Sequence, residues 1–147
     1  MIPSPIVTFK RHLETIDALM GLVGLDGVGI GPLPNSIKDQ MPRQFLQLEA
    51  GGTFVSDEET PYWKMRIQAN AYGKTAWNAH EITLVLMEEL AGTETVIVEA
   101  ADHPQEVRAR ITDIQHAAGP IPLVLDELQN VRLETTFWAV GAIRASV

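Results

Sequence analysis

The sequence of 147 residues contains no cysteine, which excludes a disulfide framework and a thiolate zinc site. The absence of cysteine fits a reducing compartment. No apolar run approaches the roughly 20 residues that a membrane-spanning helix requires. The longest candidate, Ile82 to Met87, is interrupted by Thr83 and is followed by Glu88. The first residues lack a basic region followed by an apolar stretch, so we expect no signal peptide.

Basic residues are scarce. Lysine and arginine number 11 against 19 aspartates and glutamates, which gives a net charge of −8. This balance argues against nucleic-acid binding through a broad basic face. It fits an ordinary acidic cytoplasmic protein, and it also fits a protein past which DNA slides without sticking. The length predicts one domain over residues 1–147, large enough to bury a core without disulfide bonds or structural metals.

Motifs for catalysis, metal binding and cofactor binding are also missing. His80-Glu81 begins like a zinc-protease helix, but Leu84 stands where the second histidine must be. The glycines between Gly24 and Gly31 are followed by prolines, and the Lys-Ser/Thr of a phosphate loop is absent. The histidines show no ligand spacing: His12, His80, His103 and His116. We therefore predict no catalytic residue, no metal and no cofactor, although carboxylates that converge in space stay possible.

The first third of the chain predicts one helix, one short strand and a loop. Ser4-Pro5 is typical of a helix start, and Gly21 and Gly24 are typical of its end. One apolar stripe runs along this helix of about five turns: Ile6, Phe9, Leu13, Ile16, Met20 and Val23. A short strand is expected around Val28 and Ile30, and a loop from Leu33 to Gln40.

The middle third predicts strand, loop, strand and helix. A strand runs from Pro42 to Glu49, and a polar loop extends from Ala50 to Pro61. The next strand alternates, with one side apolar and the other polar: Trp63, Met65, Ile67, Ala69 and Ala71 against Lys64, Arg66, Gln68, Asn70 and Tyr72. Gly73 ends it, and a helix follows from Thr75 to Ala91 with one stripe at helical spacing: Ala76, Ala79, Ile82, Leu86 and Leu90.

The last third predicts strands. They are expected at 95–100, 106–116 and 131–140, with turns at 102–104 and 126–130, and with an interruption at Gly119-Pro120-Ile121-Pro122. The final strand should pair with the Trp63 strand, the 106–116 strand, or both. The fold class is α+β, a mixed and mainly antiparallel sheet of about four or more strands with two main helices packed on it.

Two regions are candidates for partner contacts. The Gly52–Tyr62 loop is longer than a tight hairpin needs and mixes apolar residues with acids, which fits a solvated tip or an arm that orders on a partner. The 75–91 helix is apolar on more than one face, including Trp77, which fits a core helix or a partner surface. The interface candidates are Phe54, Val55, Asp57, Glu58, Glu59, Tyr62 and Trp77.

The order of these elements resembles a known family. A first helix, a Pro42-Arg43 strand ending in Gly51-Gly52, an alternating strand ending in Tyr72-Gly73 and an alanine-rich helix are similar to the tail terminator (tail completion) proteins of long-tailed bacteriophages. The resemblance implies a non-enzymatic virion protein in the tail or neck, found in the host cytoplasm during assembly. It implies a ring, usually a hexamer, that caps the tail tube and meets the head connector.

The resemblance also implies the partners: further copies of the chain, the tail tube protein and a head-completion or connector protein. DNA would pass through the ring without specific binding, and no membrane is involved. Two other interpretations stay open. One is a head–tail connector or other neck protein, and the other is a small α+β enzyme or ligand-binding domain with a cavity between helices and sheet. Converging ionisable groups in a cleft would favour the enzyme.

Overall fold

A computed structural model describes residues 5–55, 62–90, 96–99, 108–123 and 131–142. The helices in these ranges are α1 (Pro5–Glu14), α2 (Asp17–Val23), α3 (Asn35–Lys38) and α4 (Ala76–Leu90). The strands are β1 (Val28–Ile30), β2 (Phe45–Val55), β3 (Tyr62–Gly73), β4 (Val96–Glu99), β5 (Arg108–Leu123) and β6 (Val131–Ala142). Within the described ranges, no helix has the length and apolar character needed to cross a membrane.

The strands form one six-stranded sheet in the order β1-β2-β3-β6-β5-β4. The β1–β2 pair is parallel and the other four pairs are antiparallel. The last strand, β6, therefore lies between β3 and β5, which confirms that it pairs with both. The α+β class and the mixed, mainly antiparallel sheet predicted from the sequence are confirmed.

The main core lies on one side of the sheet, under α1, α2 and α4. The alternation in β3 predicts this side correctly, because all five of its apolar residues are buried: Trp63, Met65, Ile67, Ala69 and Ala71. The helix α4 presents its predicted stripe to them, apart from exposed Ala76: Ala79, Ile82, Leu86 and Leu90 are buried. Each large apolar side chain buried in this way stabilises the fold by about 1.5–3 kcal/mol.

The first helix is broken, contrary to the single five-turn helix predicted. Ile16 has extended backbone angles (φ −88°, ψ 102°), and α2 begins at Asp17. The Thr15 hydroxyl donates to the carbonyl oxygen of His12 at 2.6 Å, a local bond that competes with helix continuation. Asp17 places a carboxylate in the first turn of the new helix, where the helix dipole favours it. The break turns Leu19, outside the predicted stripe, into the core at 0% exposure.

The strand β2 is shifted from the predicted bounds: it begins at Phe45 rather than Pro42 and continues past Glu49 to Val55. The ladder with β3 continues to Val55, which lies opposite Trp63, and Phe54 lies opposite Lys64. The register shifts between Ala50 and Gly52, so a bulge absorbs one residue and the strand resumes beyond it. Phe54 and Val55 are therefore strand residues, and the prediction of a loop from position 50 was wrong.

The strand β5 also continues where an interruption was predicted. It runs through Pro120 and Pro122 to Leu123, with register shifts against β6 on both sides of Ala118. The strand β4 pairs with β5 only as far as Ile111, so in the described structure the prolines lie where β5 has one neighbour. A missing N–H is tolerated at such an edge.

A second, smaller cluster covers one end of the other side of the sheet. Ile37 of α3 packs there with Phe45 and Tyr72, so residues 33–40 contain a short helix rather than only the loop expected. Two positions on the predicted polar side of β3 are consequently buried, Asn70 at 0% and Tyr72 at 3% exposure. The described remainder of that side carries mainly polar and charged side chains, together with Trp138, Val140 and Ile121.

Candidate interaction surfaces

Arg43 joins three segments at the end of the sheet where β2 begins. Its guanidinium donates to the carbonyl oxygen of Val23 at 2.5 Å and lies 3.2 Å from the Asp26 carboxylate. It also donates to the Gln40 side chain and lies over the Phe45 ring. Val23 is the last residue of α2, so the positive charge satisfies a helix C-terminal carbonyl. Arg43, which precedes β2, thus has a structural role.

A cleft of about 460 Å³ opens beside β1, at the edge of the sheet. Val28, Ile30, Pro32, Ile37 and Phe45 line much of it. Asp26 is the one ionisable residue in the lining, and its carboxylate is paired with Arg43. The cleft therefore lacks the converging ionisable groups that acid–base catalysis requires.

The side of the sheet opposite the main core is called here the open face. Its charged and larger polar or aromatic side chains come from four strands: Glu49, Lys64, Arg66, Gln68, Asp113, Gln115, Arg132, Glu134 and Trp138. Its contacts run between strands: Lys64 Nζ lies 4.8 Å from the centre of the Trp138 ring, and Gln68 donates to Glu134 at 3.3 Å. Arg132 donates to the Asn70 side chain at 3.4 Å. These contacts order a flat surface of charged and aromatic groups.

Arg66 is the most prominent cation of the open face. A Cβ at Gly51, the bulge position, would lie 3.2 Å from its Cγ and Cδ atoms, so the glycine makes room for the arginine stem. Arg66 is exposed to solvent. Among the described residues, ion pairs join Lys10 to Glu14 and Arg43 to Asp26, and none involves a cation of the open face.

The basic residues of the chain are concentrated in the strands that form this face. The strands β3, β5 and β6 contain five of the 11 basic residues and two of the 19 acidic ones. These three strands therefore carry a formal charge of +3 in a chain whose net charge is −8. The side chains of Arg108 and Arg110 lie outside the described residues. Among the described side chains of the open face, three cations are balanced by three carboxylates: Lys64, Arg66 and Arg132 against Glu49, Asp113 and Glu134.

The second surface is the outer stripe of α4, which consists of Trp77, Glu81, Leu84 and Glu88. Their spacing of four, three and four places them along one side of the helix, opposite the buried stripe. Trp77 is 62% exposed and Leu84 is 43% exposed, while the ring of Trp77 leans on His80 with centroids 6.0 Å apart. Trp77 and Leu84 thus place exposed apolar surface between two carboxylates on the outer side of the helix.

The predicted interface residues are only partly covered by the structure. Trp77 lies exposed on α4, in the outer stripe. Phe54 and Val55 belong to β2 and Tyr62 to β3, where only their backbone is described. The acids of the hairpin tip, Asp57, Glu58 and Glu59, lie outside the described residues. Lys64, Arg66 and Trp138 were missed as a surface, although the alternation of β3 and β6 signalled one polar side.

The histidines in the described ranges do not assemble a metal site. Neither ring nitrogen of His12 has a hydrogen-bond partner among the described residues, and desolvation by burial lowers the pKa of this side chain. His116 lies on β5 with its Nε2 atom 2.9 Å from the Gly119 carbonyl oxygen. No group of three or more potential ligands comes together in the described part of the chain.

The fold occurs in a solved virion. No family model matches the sequence, and no curated protein matches it. The structure is similar to a chain in the virion of a native gene transfer agent (GTA) particle, with a TM-score of 0.65 and 14% identity. The similarity covers 95% of this chain and 95% of that chain. At this level of identity, the similarity establishes that the two chains share one fold from end to end.

Proposed function

We propose that this protein is a structural component of a phage-like virion, and that it acts as the tail terminator. In this role it forms a ring, usually a hexamer, which caps the tail tube and joins it to the head connector. The observation that carries the proposal is the end-to-end similarity to a chain of the GTA virion. The similarity extends over 95% of each chain rather than over a shared fragment.

The arrangement of elements provides a second line of support. The family resemblance predicted a Pro-Arg-led strand, a hairpin, an alternating strand and a helix in that order. The elements β2, β3 and α4 follow this order, although Pro42 and Arg43 precede β2, which begins at Phe45. Two contact surfaces, the open face and the outer stripe of α4, lie on different sides of the sheet. A protein that touches copies of itself, the tail tube protein and a head-completion protein requires several such surfaces.

The charge of the molecule suits a passage for DNA. A net charge of −8 repels a polyanion, so DNA passes through the assembled ring without specific binding. The protein would be found in the tail or neck of the virion, and in the host cytoplasm while particles are being assembled. No cofactor or membrane takes part in this role.

The described surfaces favour a structural role over the competing functions. A non-enzymatic role is favoured because the cleft beside β1 offers a single, already paired carboxylate. A head–tail connector or other neck protein is the nearest alternative, since the GTA comparison gives a fold and a particle but no position within it. The two roles differ in what fails when the protein is missing.

A deletion experiment separates these roles. A cap that stops tail growth should, when absent, leave tails that are abnormally long or variable in length and unattached to heads. A connector should, when absent, leave tails of normal length beside finished heads. Electron microscopy of lysates with and without the gene measures the tail-length distribution, with the wild-type gene supplied on a plasmid as control. Normal tail lengths without the protein would contradict the terminator role.

A further inference from the structure

We propose that a second copy of this chain adds its residues 143–147 as an extra strand along the outer edge of β1, with apolar side chains in the cleft beside that strand. These residues have the sequence Ile-Arg-Ala-Ser-Val and follow β6. The inference rests on the proposed ring and names one of the contacts between its copies.

The outer edge of β1 carries unpaired backbone groups. The Gly31 N–H donates to the carbonyl oxygen of Leu48 at 3.0 Å, so Gly31 faces β2. Residues of a strand in a parallel ladder alternate between facing and not facing one neighbour. The N–H and C=O groups of Val28 and Ile30 therefore point away from β2, and no described residue bonds to them. The backbone of a further extended segment is the natural complement of these groups.

The cleft beside this edge provides room for side chains. It has a volume of about 460 Å³, and Ile30, Ile37 and Phe45 are among the apolar residues that line it. Its one carboxylate, Asp26, is already paired with Arg43. An added strand gains affinity from main-chain hydrogen bonds and specificity from such a side-chain pocket.

Side chains from the start of β2 and from the residues before it hold β1 in place at both ends. Before the strand, Arg43 donates to the carbonyl oxygen of Val23 and lies 3.2 Å from the Asp26 carboxylate. After the strand, the side-chain amide of Gln47 donates to the carbonyl oxygen of Gly31. Because the edge is already fixed in its extended form, less free energy is lost to ordering when a strand is added.

The free part of β5 is less suited to accept a strand. Beyond Ile111 its outer side has no described neighbour. Register shifts on both sides of Ala118 and the prolines Pro120 and Pro122 interrupt it. Bulges and missing N–H groups keep a strand edge from pairing. The three residues of β1 have neither a register shift nor a proline.

Composition identifies the occupant among the segments of the chain outside the described ranges. An added strand excludes prolines, and an apolar cleft disfavours carboxylates. Five of these segments contain a proline or an acidic residue: 1–4, 56–61, 91–95, 100–107 and 124–130. Residues 143–147 contain neither, and their apolar members alternate with polar ones: Ile143, Ala145 and Val147 against Arg144 and Ser146. One side of such a strand can enter the cleft while the other stays in water.

The register of the sheet places the added segment on a second copy. Pairings through β2 and β3 put Ile30 level with Thr135 of β6. From Thr135 to Ala142, the end of β6, the chain advances about 23 Å along the strand. Residues 143–147 extend over at most about 18 Å. They therefore cannot lie along β1 of their own copy.

The contact is head-to-tail. Each copy provides one segment and receives another at a different place, so its own β1 edge stays available for a third copy. Such heterologous contacts produce rings when the rotation closes.

Two variants each block one half of the contact. Ile30→Pro removes an N–H that does not bond to β2, so the fold should be retained while the edge is blocked. Ile143→Asp places a carboxylate in the segment that enters the apolar cleft. We expect each variant alone to raise the dissociation constant of self-association about tenfold or more. Their equimolar mixture should form dimers, because one intact edge then meets one intact segment.

Sedimentation velocity measures the assembly, and circular dichroism with thermal melting reports folding. Ile30→Val supplies the matched control, because it keeps the edge N–H and should assemble as the wild type does.

Cross-linking tests the same contact without depending on the proline variant, and the chain has no native cysteine to interfere. Ser36→Cys changes an exposed residue of the cleft lining, and Ser146→Cys changes the added segment. We expect a short bis-maleimide to give a covalent dimer in the mixture and much less of it with either variant alone. Exposed Glu89 on α4 supplies the control, because Glu89→Cys mixed with Ser146→Cys should give little product.

The outcomes separate this inference from the proposed function. Normal assembly of both blocking variants, without the cross-link between positions 36 and 146, overturns the contact and leaves the ring standing. A wild-type chain that remains monomeric in solution and in finished particles contradicts the ring and the contact together. Weakened assembly of each variant, dimers in their mixture and the cross-link support the contact.

Discussion

At the scale of single residues, Arg43 illustrates how one side chain connects distant parts of the chain. It contacts the end of α2, the turn at Asp26 and the start of β2. We expect Arg43→Ala to lower the free energy of unfolding by about 1–3 kcal/mol, because a buried helix carbonyl loses its charged donor. Urea unfolding measures this. Exposed Lys38→Ala, the control, should change stability within about 0.5 kcal/mol, and equal losses would contradict the assigned role.

The partly buried His12 predicts a pH dependence of stability. Desolvation lowers its pKa in the folded state below the ordinary value of 6.5, so the unfolded chain binds more protons as the pH falls past that value. Stability is therefore fully present above pH 6.5 and is lost as the pH falls toward the folded pKa. We expect His12→Gln to reduce the difference in unfolding free energy between about pH 7.5 and about pH 5.5. An unchanged difference would show that other groups cause it.

At the scale of elements, local patterns predicted most of the fold. The alternation in β3 and the apolar stripe in α4 predicted the buried residues well, because each element packs one face on the core. The break at Ile16 and the continuation of β5 through its prolines were not predictable from periodicity. Both depend on neighbours: a local side-chain bond at Thr15, and an edge position beyond the reach of β4.

The break in the first helix determines which leucines are buried and therefore contribute to stability. Leu19 is fully buried at 0% exposure, whereas Leu25 is 94% exposed. We expect Leu19→Ala to lower the free energy of unfolding by about 2–5 kcal/mol, the usual effect of a large-to-small change in a core. Leu25→Ala makes the same chemical change at the surface and should cost within about 0.5 kcal/mol. Similar losses in thermal or urea unfolding would contradict the position of α2.

We expect the tip of the hairpin between β2 and β3 to matter for particle completion but not for the stability of the fold. Replacing residues 56–61 with an Asn-Gly turn should leave stability nearly unchanged, because the ladder already closes at Val55 and Trp63. If the tip is the contact arm hypothesised from the sequence, the same change should prevent the completion of particles. The measurements are thermal melting and a complementation assay. A stable variant that completes particles normally would show that the tip is a plain solvated turn.

At the scale of the whole molecule, the two proposed contact surfaces differed in how far the sequence revealed them. Trp77 stood out because it is a large apolar residue away from the buried stripe of its helix. The open face did not, because the contact of Lys64 with Trp138 depends on the register between β3 and β6, which are far apart in the chain. The mixed charge of the open face follows from that same pairing, since its cations and carboxylates become neighbours only in the folded sheet.

The position of the protein in its particle tests the central claim most directly. Cryo-electron microscopy of finished particles should show a closed ring of this fold at the head-proximal end of the tail tube, with DNA or a channel along its axis. An epitope tag on the chain, visualised with antibody-bound gold, should label the same place in particles. Label or density for this fold elsewhere in the particle, or its absence from finished particles, would contradict the proposed role as tail terminator.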